Sequence, residues 1–484
     1  MRLHNIFLYV GYIFLLNALA LLICAGVSLI YGDGAFYVLL YSALIAALFG
    51  VFPIIFVPAA EEITNNEGLI IVVASWLLSC LLGTLPYLLW GGEFSFINAW
   101  FESVSGFTTT GSTILTDIEV LPKGLLFWRS MTHWLGGMGI IIFALSLLPI
   151  IGGSAKVLYQ SEMSSLAMDN FRLRARQAVR ILASIYIGLT ALETIGLMLC
   201  GMNLFEALTH SFGTIATGGF SPKNTSIAHY NSLAIEIVVI VFMILSGIHF
   251  ALLFSAISGK VRDLWNSPFV RYYFLAIALG VLISTLDLYG RGYGNFYESL
   301  RHATFQIVSV GTSTGFATTD SSVWPQLSQL LLIFFSLQCA CAGSTSGGIK
   351  VDRIVLLGKT FMRQLRQLQH PHGVIPLKFG NRTIGKEVAE SSVLYVAIYL
   401  SVVFFATLLL IAVGTDALEA FSGAVATMGN VGPGLGKVGS MGNFSHIPAP
   451  GKWIYTATML LGRLEIYALV MFFIPRHWKT YATF

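Results

Sequence analysis

The sequence predicts an all-α polytopic membrane protein: four pseudo-symmetric helix–pore-helix–helix repeats around one central pore, preceded by two extra N-terminal transmembrane helices. Three observations predict it. Of the 484 residues, 56% are hydrophobic and only 10% charged, with a mean hydropathy of +0.78. Soluble domains average about 25% charged residues, so an ordinary soluble fold is excluded. Apolar runs of roughly the 20 residues that a helix needs to cross a bilayer recur along the whole length. Between them stand four shorter helical stretches, each followed by small or hydroxyl residues and then a glycine.

Taken in order, full spans are expected near 6–30, 36–57, 69–90, 127–150, 178–201, 233–257, 272–289, 388–413 and 453–474, with an interrupted one from 327 to about 360. The first run is too long for a signal-peptide core and follows only Arg2, so it reads as a retained helix. The shorter stretches, 96–108, 203–215, 297–312 and 416–427, rise about halfway through a core of about 30 Å. Each must enter and leave on the same side. Alternating spans place the loops 151–177, 258–271 and 361–387 and both termini on one face, with eighteen of the 27 Lys and Arg residues. The opposite face holds six: Lys123, Lys223, Arg291, Arg301, Lys437 and Lys452. That bias marks the basic face as cytoplasmic, so the half-length elements dip in from outside. The net charge of +4 reflects this asymmetry and gives no argument for nucleic acid. Cys24, Cys80, Cys200, Cys339 and Cys341 lie in or beside apolar runs and form no disulfide framework; the last two point to different faces of a helix, against a metal site.

The half-length stretches read "NAWFESVSGFTTTGST", "NLFEALTHSFGTIATGGFS", "SLRHATFQIVSVGTSTGFATT" and "DALEAFSGAVATMGNVG". Their glycines, Gly111, Gly218, Gly315 and Gly429, recur at intervals of 107, 97 and 114 residues, which makes the repeat the unit of the fold. The expected divisions are a helix pair over 1–60 and pore repeats over 61–152, 153–260, 261–387 and 388–484. Non-helical backbone at membrane depth survives only when buried in protein or lining a wet cavity. Four such loops around one axis can present carbonyl oxygens that replace the hydration shell of an alkali cation. Glycine permits the backbone dihedrals this needs, and each half-helix turns its negative end toward the cation. The expected filter is Thr109, Thr110 and Gly111; Ala216, Thr217 and Gly218; Ser313, Thr314 and Gly315; and Thr427, Met428 and Gly429.

"CAGSTSGGIK" (341–350) interrupts the helix that starts at 327, which by 341 has risen only about 22 Å. The break therefore falls inside the membrane, below the filter. Gly343, Gly347 and Gly348 supply mobility, Ser344, Thr345 and Ser346 supply hydrogen bonds, and Lys350 caps the cytoplasmic end. Such a strand can obstruct a pore and move aside; a kink filled by neighbouring side chains is the bland alternative. Arg463 stands mid-span, where a charge costs several kcal/mol unless it faces a cavity or partner; Glu465 and Glu193 are available partners. In "HWLGGMGI", His133 and Trp134 precede Gly136, Gly137 and Gly139, which suit close helix packing. His210, His249 and His302 read as satisfied interior groups. Glu102 and Arg129 either attract cations near an outer vestibule or serve as solvated structural groups. The basic stretches 172–180 and 359–386 suit solvent or lipid headgroups. There is no Walker A motif and no glycine fingerprint after a strand.

From about residue 60 onward, the four loops together with "HWLGGMGI" (133–140), "GSTSGGIK" (343–350) and "GRLE" (462–465) resemble the membrane subunits of the Trk/Ktr/HKT potassium transporter superfamily, TrkH type. The extra helices over 6–57 match that type. The resemblance implies that Gly111, Gly218, Gly315 and Gly429 are filter glycines and that Gly111, where sodium-transporting plant members carry serine, favours K+ over Na+. Met428 departs from the threonine that matching loops carry. It also implies that 343–350 is an intramembrane gating loop, that Arg463 faces the pore and contacts it, and that Rb+ accompanies K+. Implied partners are a second copy of the chain and a cytoplasmic nucleotide-binding (TrkA-like) ring, with the chain in the bacterial inner membrane and no cofactor of its own. A K+/Na+ or K+/H+ symporter is the alternative, with Glu193 as the candidate proton site. An intramembrane enzyme is the rival class, and no nucleophile–base constellation supports it.

Overall fold

The computed structural model of the chain describes residues 3–58, 65–147, 175–291, 293–371, 373, 375–379 and 382–474. Most of the expected loop 151–177, including Lys156, Arg172 and Arg174, and the expected basic termini with Arg2, Arg476 and Lys479 lie outside the described residues.

The first two helices, α1 (Leu3–Tyr31) and α2 (Phe36–Phe56), form a hairpin. Gly11 and Gly50 bring their backbones together: a Cβ on either would stand 2.9 Å from the other's carbonyl oxygen. Small residues are what permit this approach where no hydrophobic driving force acts between helices.

Four units follow, each an outer helix, a short helix and a second long element. The first is α3 (Asn65–Gly83) with its continuation α4 (Leu85–Trp90), then α5 (Phe96–Phe107) and α6 (Lys123–Leu147). The second is α7 (Ala175–Leu199), α8 (Leu204–Ile215), and the pair α9 (Leu233–Ser246) and α10 (Phe250–Ile257). After a linking turn, α11 (Val261–Asn266), come α12 (Pro268–Arg291), α13 (Phe296–Gly311), α14 (Gln326–Leu337) and α15 (Val351–Gln369). The last unit is α16 (Lys386–Ala412), α17 (Ala417–Met428), α18 (Ala449–Arg463) and α19 (Ile466–Phe473). Among the described residues six straight helices are long and apolar enough to cross a membrane, or eight if each bent pair counts as one span. The fold is helical as expected; a hairpin of two three-residue strands, β1 (Leu377–Phe379) and β2 (Arg382–Ile384), is the addition among the described residues.

The short helices α5, α8, α13 and α17 begin alike. Ser95, Asn203, Asn295 and Asp416 each accept a hydrogen bond from a backbone N–H of the first turn. These are the residue types that satisfy the orphan donors of a helix start, and they place four starts at matching points of four repeats.

Two expected straight spans are bent. The run 233–257 turns by 106° between α9 and α10, and 453–474 by 112° between α18 and α19. At the first bend, His249 Nδ1 accepts from Ala251 N at 3.0 Å and starts the new helix. At the second, Glu465 takes a φ of 57°. Each run is apolar enough overall to pass as a single span, so hydropathy alone reads each as one helix. The interrupted span also breaks sooner than expected: α14 ends at Leu337, and Cys339 and Cys341 lie in the non-helical stretch, not in a helix. No disulfide joins any of the five cysteines, all of which are described, and no group of three metal-ligating side chains occurs among the described residues.

Candidate functional site

The four short helices end in one repeated backbone motif. The residues just past them, Thr109, Thr217, Ser313 and Asn430, have φ of 53°, 54°, 57° and 52°. Each donates its N–H three residues back, to Gly106, Thr214, Val310 and Thr427. The next residues, Thr110, Gly218, Thr314 and Val431, donate five residues back, at 2.8–2.9 Å, to Ser105, Gly213, Ser309 and Ala426. This is the Schellman ending, with a non-glycine residue in the left-handed position. Its consequence is directional: the N–H groups turn back into the helix and leave the carbonyls to face outward.

Those carbonyls meet the next loop. A Cβ on Gly111 would collide with the carbonyl oxygen of Gly218, one on Gly219 with that of Thr314, one on Gly315 with that of Val431, and one on Gly432 with that of Thr110. The four contacts close a ring, loop one to two to three to four and back to one. The ring glycines have φ of 84°, 81°, 81° and 99°, a region open to glycine and closed to other L-residues.

This register corrects the sequence reading in two loops. The equivalents of Gly111 and Gly315 are Gly219 and Gly432, in place of Gly218 and Gly429. Gly429 is the C-cap of α17 with φ −78°, and Thr427 and Met428 are the last residues of that helix. The expected departure at Met428 therefore falls behind the loop, and Val431 occupies the position of Thr110 and Thr314. The sequence carried one usable signal: Gly219-Phe220 repeats Gly315-Phe316. The threonine hydroxyls mostly serve the scaffold. Thr108 and Thr110, and likewise Thr312 and Thr314, are hydrogen-bonded at 2.8 Å, and Asn430 Nδ2 donates to Thr110 Oγ1 at 3.0 Å.

Behind the ring, each short helix ties down its outgoing strand. Glu102 accepts from Thr113 Oγ1 and Ile114 N, His210 Nε2 bonds to Ser221 Oγ, Gln306 Nε2 donates to Thr319 O, and Ser422 Oγ accepts from Leu435 N. Glu102 and Arg129, expected from sequence either to attract cations near an outer vestibule or to serve as solvated structural groups, are 0% and 1% exposed and paired at 2.8 Å. Arg129 also donates to Ser221 O and lies 4.1 Å over the Phe220 ring, so the pair clamps loops one and two together. Removing one member of a buried pair costs about 3–5 kcal/mol. Arg129→Met is accordingly expected to lower the thermal unfolding midpoint of the detergent-solubilised protein sharply, and adding Glu102→Gln to recover most of the loss. The "HWLGGMGI" glycines abut the same region. A Cβ on Gly136 would strike the Phe107 carbonyl, one on Gly137 would lie 2.9 Å from Ala216, and the His133 ring stacks on Phe220 at 4.2 Å.

Below the ring lies the segment 338–350, buried or nearly so throughout. Its two arms pair as a short parallel bridge, Gln338 with Ile349, and Ala342 N donates to Asp352 Oδ2 at 2.5 Å. Gly347 N donates to Ser313 Oγ at 3.2 Å, while Thr345 Oγ1 donates to Ile215 O at 3.0 Å. A Cβ on Gly347 would lie 2.6 Å from the Gly429 carbonyl oxygen and from Asn430 Oδ1. The segment thus touches loops three and four and the end of α8. Cys341 N donates to Gly247 O, and Phe250 N donates to Gly343 O, so the bend between α9 and α10 is fastened to it. His249 packs against Gly343.

Arg463, 2% exposed, donates Nη1 to Thr345 O at 2.6 Å and Nη2 to Gly136 O at 3.0 Å. Neither expected carboxylate partners it. Glu465 pairs instead with Arg353 at 3.0 Å, and Arg353 lies 3.7 Å over the Tyr395 ring. Glu193 is fully buried, with no hydrogen-bond partner for either carboxyl oxygen among the described residues. Sequence reasoning missed Arg353, Asp352, Asn430 and Gly432, whose roles come from contacts with distant segments.

The family model described as TrkH, cation transport protein, matches residues 44–480. The Trk system potassium uptake protein TrkH of Salmonella typhimurium is 37% identical over 480 residues, covering 97% of this chain and 98% of that protein. Its namesake from Vibrio parahaemolyticus is 36% identical over 99% of this chain and all of its own length. The crystal structure of the potassium transporter TrkH from Vibrio parahaemolyticus superposes with a TM-score of 0.91 at 34% identity, covering 99% of this chain and 100% of that one.

Proposed function

Because the chain belongs to the TrkH family of cation transport proteins, a multi-pass membrane transporter and not an enzyme, we propose that it takes up K+ through the ring formed by its four loops. The observation that carries this reading is the closed set of glycine–carbonyl contacts. Carbonyls freed by four Schellman endings and held by four glycines form the kind of oxygen cage that replaces the hydration shell of an alkali cation. The inner ring is Thr110, Gly218, Thr314 and Val431, with Thr109, Thr217, Ser313 and Asn430 below and Gly111, Gly219, Gly315 and Gly432 above. The segment 342–349 is the gate, with Gly343, Ser344, Thr345, Ser346, Gly347 and Gly348 obstructing the path and Arg463 holding it. Uptake runs from the outer face inward across the bacterial inner membrane, with cytoplasmic termini, in a homodimer governed by a cytoplasmic nucleotide-binding partner.

The test is cation flux through purified protein in KCl-loaded liposomes diluted into low-K+ buffer, comparing K+, Rb+, Na+ and Li+, with and without residues 343–348. K+ and Rb+ flux that rises on deletion is the expected result. Flux without ion discrimination would retain the pore and remove the potassium assignment. Glu193 favours a second reading, a K+/H+ symporter, because a buried carboxyl in a span, beside the Thr214 hydroxyl and with no cationic partner among the described residues, is a proton-site hypothesis by default. A pH gradient that drives K+ in the unaltered chain and not in Glu193→Gln would decide for it.

A further inference from the structure

A cavity of about 70 Å³ opens onto all four ring glycines, Gly111, Gly219, Gly315 and Gly432. Among the described residues that line it, the only charged ones are Arg129 and Lys223, and both are cations. Arg129 is 1% exposed and neutralised by its pair with Glu102. The Lys223 ammonium, on a side chain 20% exposed, is therefore the charge that an ion meets at this mouth.

The loops hold that ammonium in place from two sides. Lys223 N donates to Ser221 Oγ at 3.0 Å, and Ser221 Oγ is bonded in turn to His210 on α8. The next residue, Asn224, accepts from Ile118 N at 2.7 Å and donates Nδ2 to Asp117 at 2.8 Å, which ties the turn to the strand leaving loop one. Lys223 Nζ lies 3.6 Å from Glu206 and 3.7 Å from Glu119. Neither carboxylate lines the cavity, so an ion there meets the ammonium before its counter-ions.

We propose that Lys223 is a specificity-determining residue: a tethered cation that keeps divalent cations out of the mouth at a modest cost to K+. This rests on the reading of the ring as the path of uptake. Carbonyl and hydroxyl oxygens are also the ligands of divalent cations such as Ca2+, and an ion bound too tightly stops conduction. A carboxylate at the mouth would hold such ions more firmly still. A fixed positive charge sorts ions by valence, because electrostatic work is proportional to the charge of the ion. Whatever factor the ammonium costs K+, it costs a divalent ion the square of that factor.

Initial rates of K+ uptake into vesicles holding the full-length chain test this, through the half-saturating K+ and the half-blocking external Ba2+. Lys223→Gln is expected to lower the first about threefold, as a screened unit charge at a partly solvated site would, and the second about ninefold. Lys223→Arg should leave both where they are. Raising the ionic strength with choline chloride should shrink both shifts. Equal shifts for the two ions, no shift in either, or Lys223→Arg behaving as Lys223→Gln overturns the proposal, since packing and hydrogen bonding do not scale with valence. Those results leave uptake itself intact. Absence of K+ uptake by the unaltered chain is a separate outcome, which removes the transport reading and this inference with it.

Discussion

Gly432→Ser is expected to reduce the preference for K+ over Na+ by about tenfold, equivalent to about 1.4 kcal/mol of differential binding, while Gly429→Ser leaves the preference intact. The two glycines are three residues apart and have opposite backbone situations. Gly432 holds φ 99° against the Thr110 carbonyl and the Gly111 backbone, so a side chain there both strains the loop and pushes a ring carbonyl off the axis. A ring that selects by the placement of its oxygens loses discrimination when one is displaced. Gly315→Ser, against the Val431 carbonyl, should behave like Gly432→Ser. At Gly429 the conformation is right-handed, and an added Cβ would crowd the Ser336 carbonyl on α14; the cost falls on the amount of folded protein. Competition flux of K+ against Na+ in liposomes separates them. If Gly429→Ser changes the ratio and Gly432→Ser does not, the register derived from the φ angles is wrong.

Arg463→Gln is expected to raise K+ flux roughly ten- to a hundredfold. Hydrogen bonds from a charged donor contribute about 1.5–3 kcal/mol, and the guanidinium makes one to Thr345 in the segment 338–350 and one to Gly136 beside the first loop. Glutamine is too short to span both carbonyls. If the obstructing state is held by this bridge, losing it shifts the closed-to-open ratio by the corresponding factor. Stability should not suffer in proportion, because a charge at membrane depth is itself unfavourable. Arg463→Lys, keeping charge without the fork, should fall between. Unchanged or reduced flux through folded Arg463→Gln protein would mean that the arginine packs the pore without restraining the gate.

Much of this was legible in the chain. Four short helices appeared at nearly their observed bounds, because length and apolarity report directly on what can cross a bilayer. The interruption near 342–349 was equally visible, since small polar residues there have no other reason to follow an apolar run. The register of loops two and four was not. Choosing Gly219 over Gly218 and Gly432 over Gly429 depends on where each helix ends and on the sign of φ beyond it, and beyond the Gly-Phe pair shared by loops two and three the sequence carries no mark of that.

The bends tell the same story. Gly247–His249 reads as continuous span, and the charges Arg463 and Glu465 mark the last span without showing that it turns; the first bend is fastened by hydrogen bonds to the segment 338–350, and Glu465 pairs with Arg353 more than a hundred residues away. Arg463 found two backbone carbonyls where two carboxylates were available in the sequence. By itself, then, the sequence determined the membrane fold, the fourfold repeat and the place of the break, since these follow from composition, length and spacing. Only the tertiary structure decided which glycine closes the ring, where the helices turn and what each buried charge holds, because those depend on close approaches between segments far apart in the sequence.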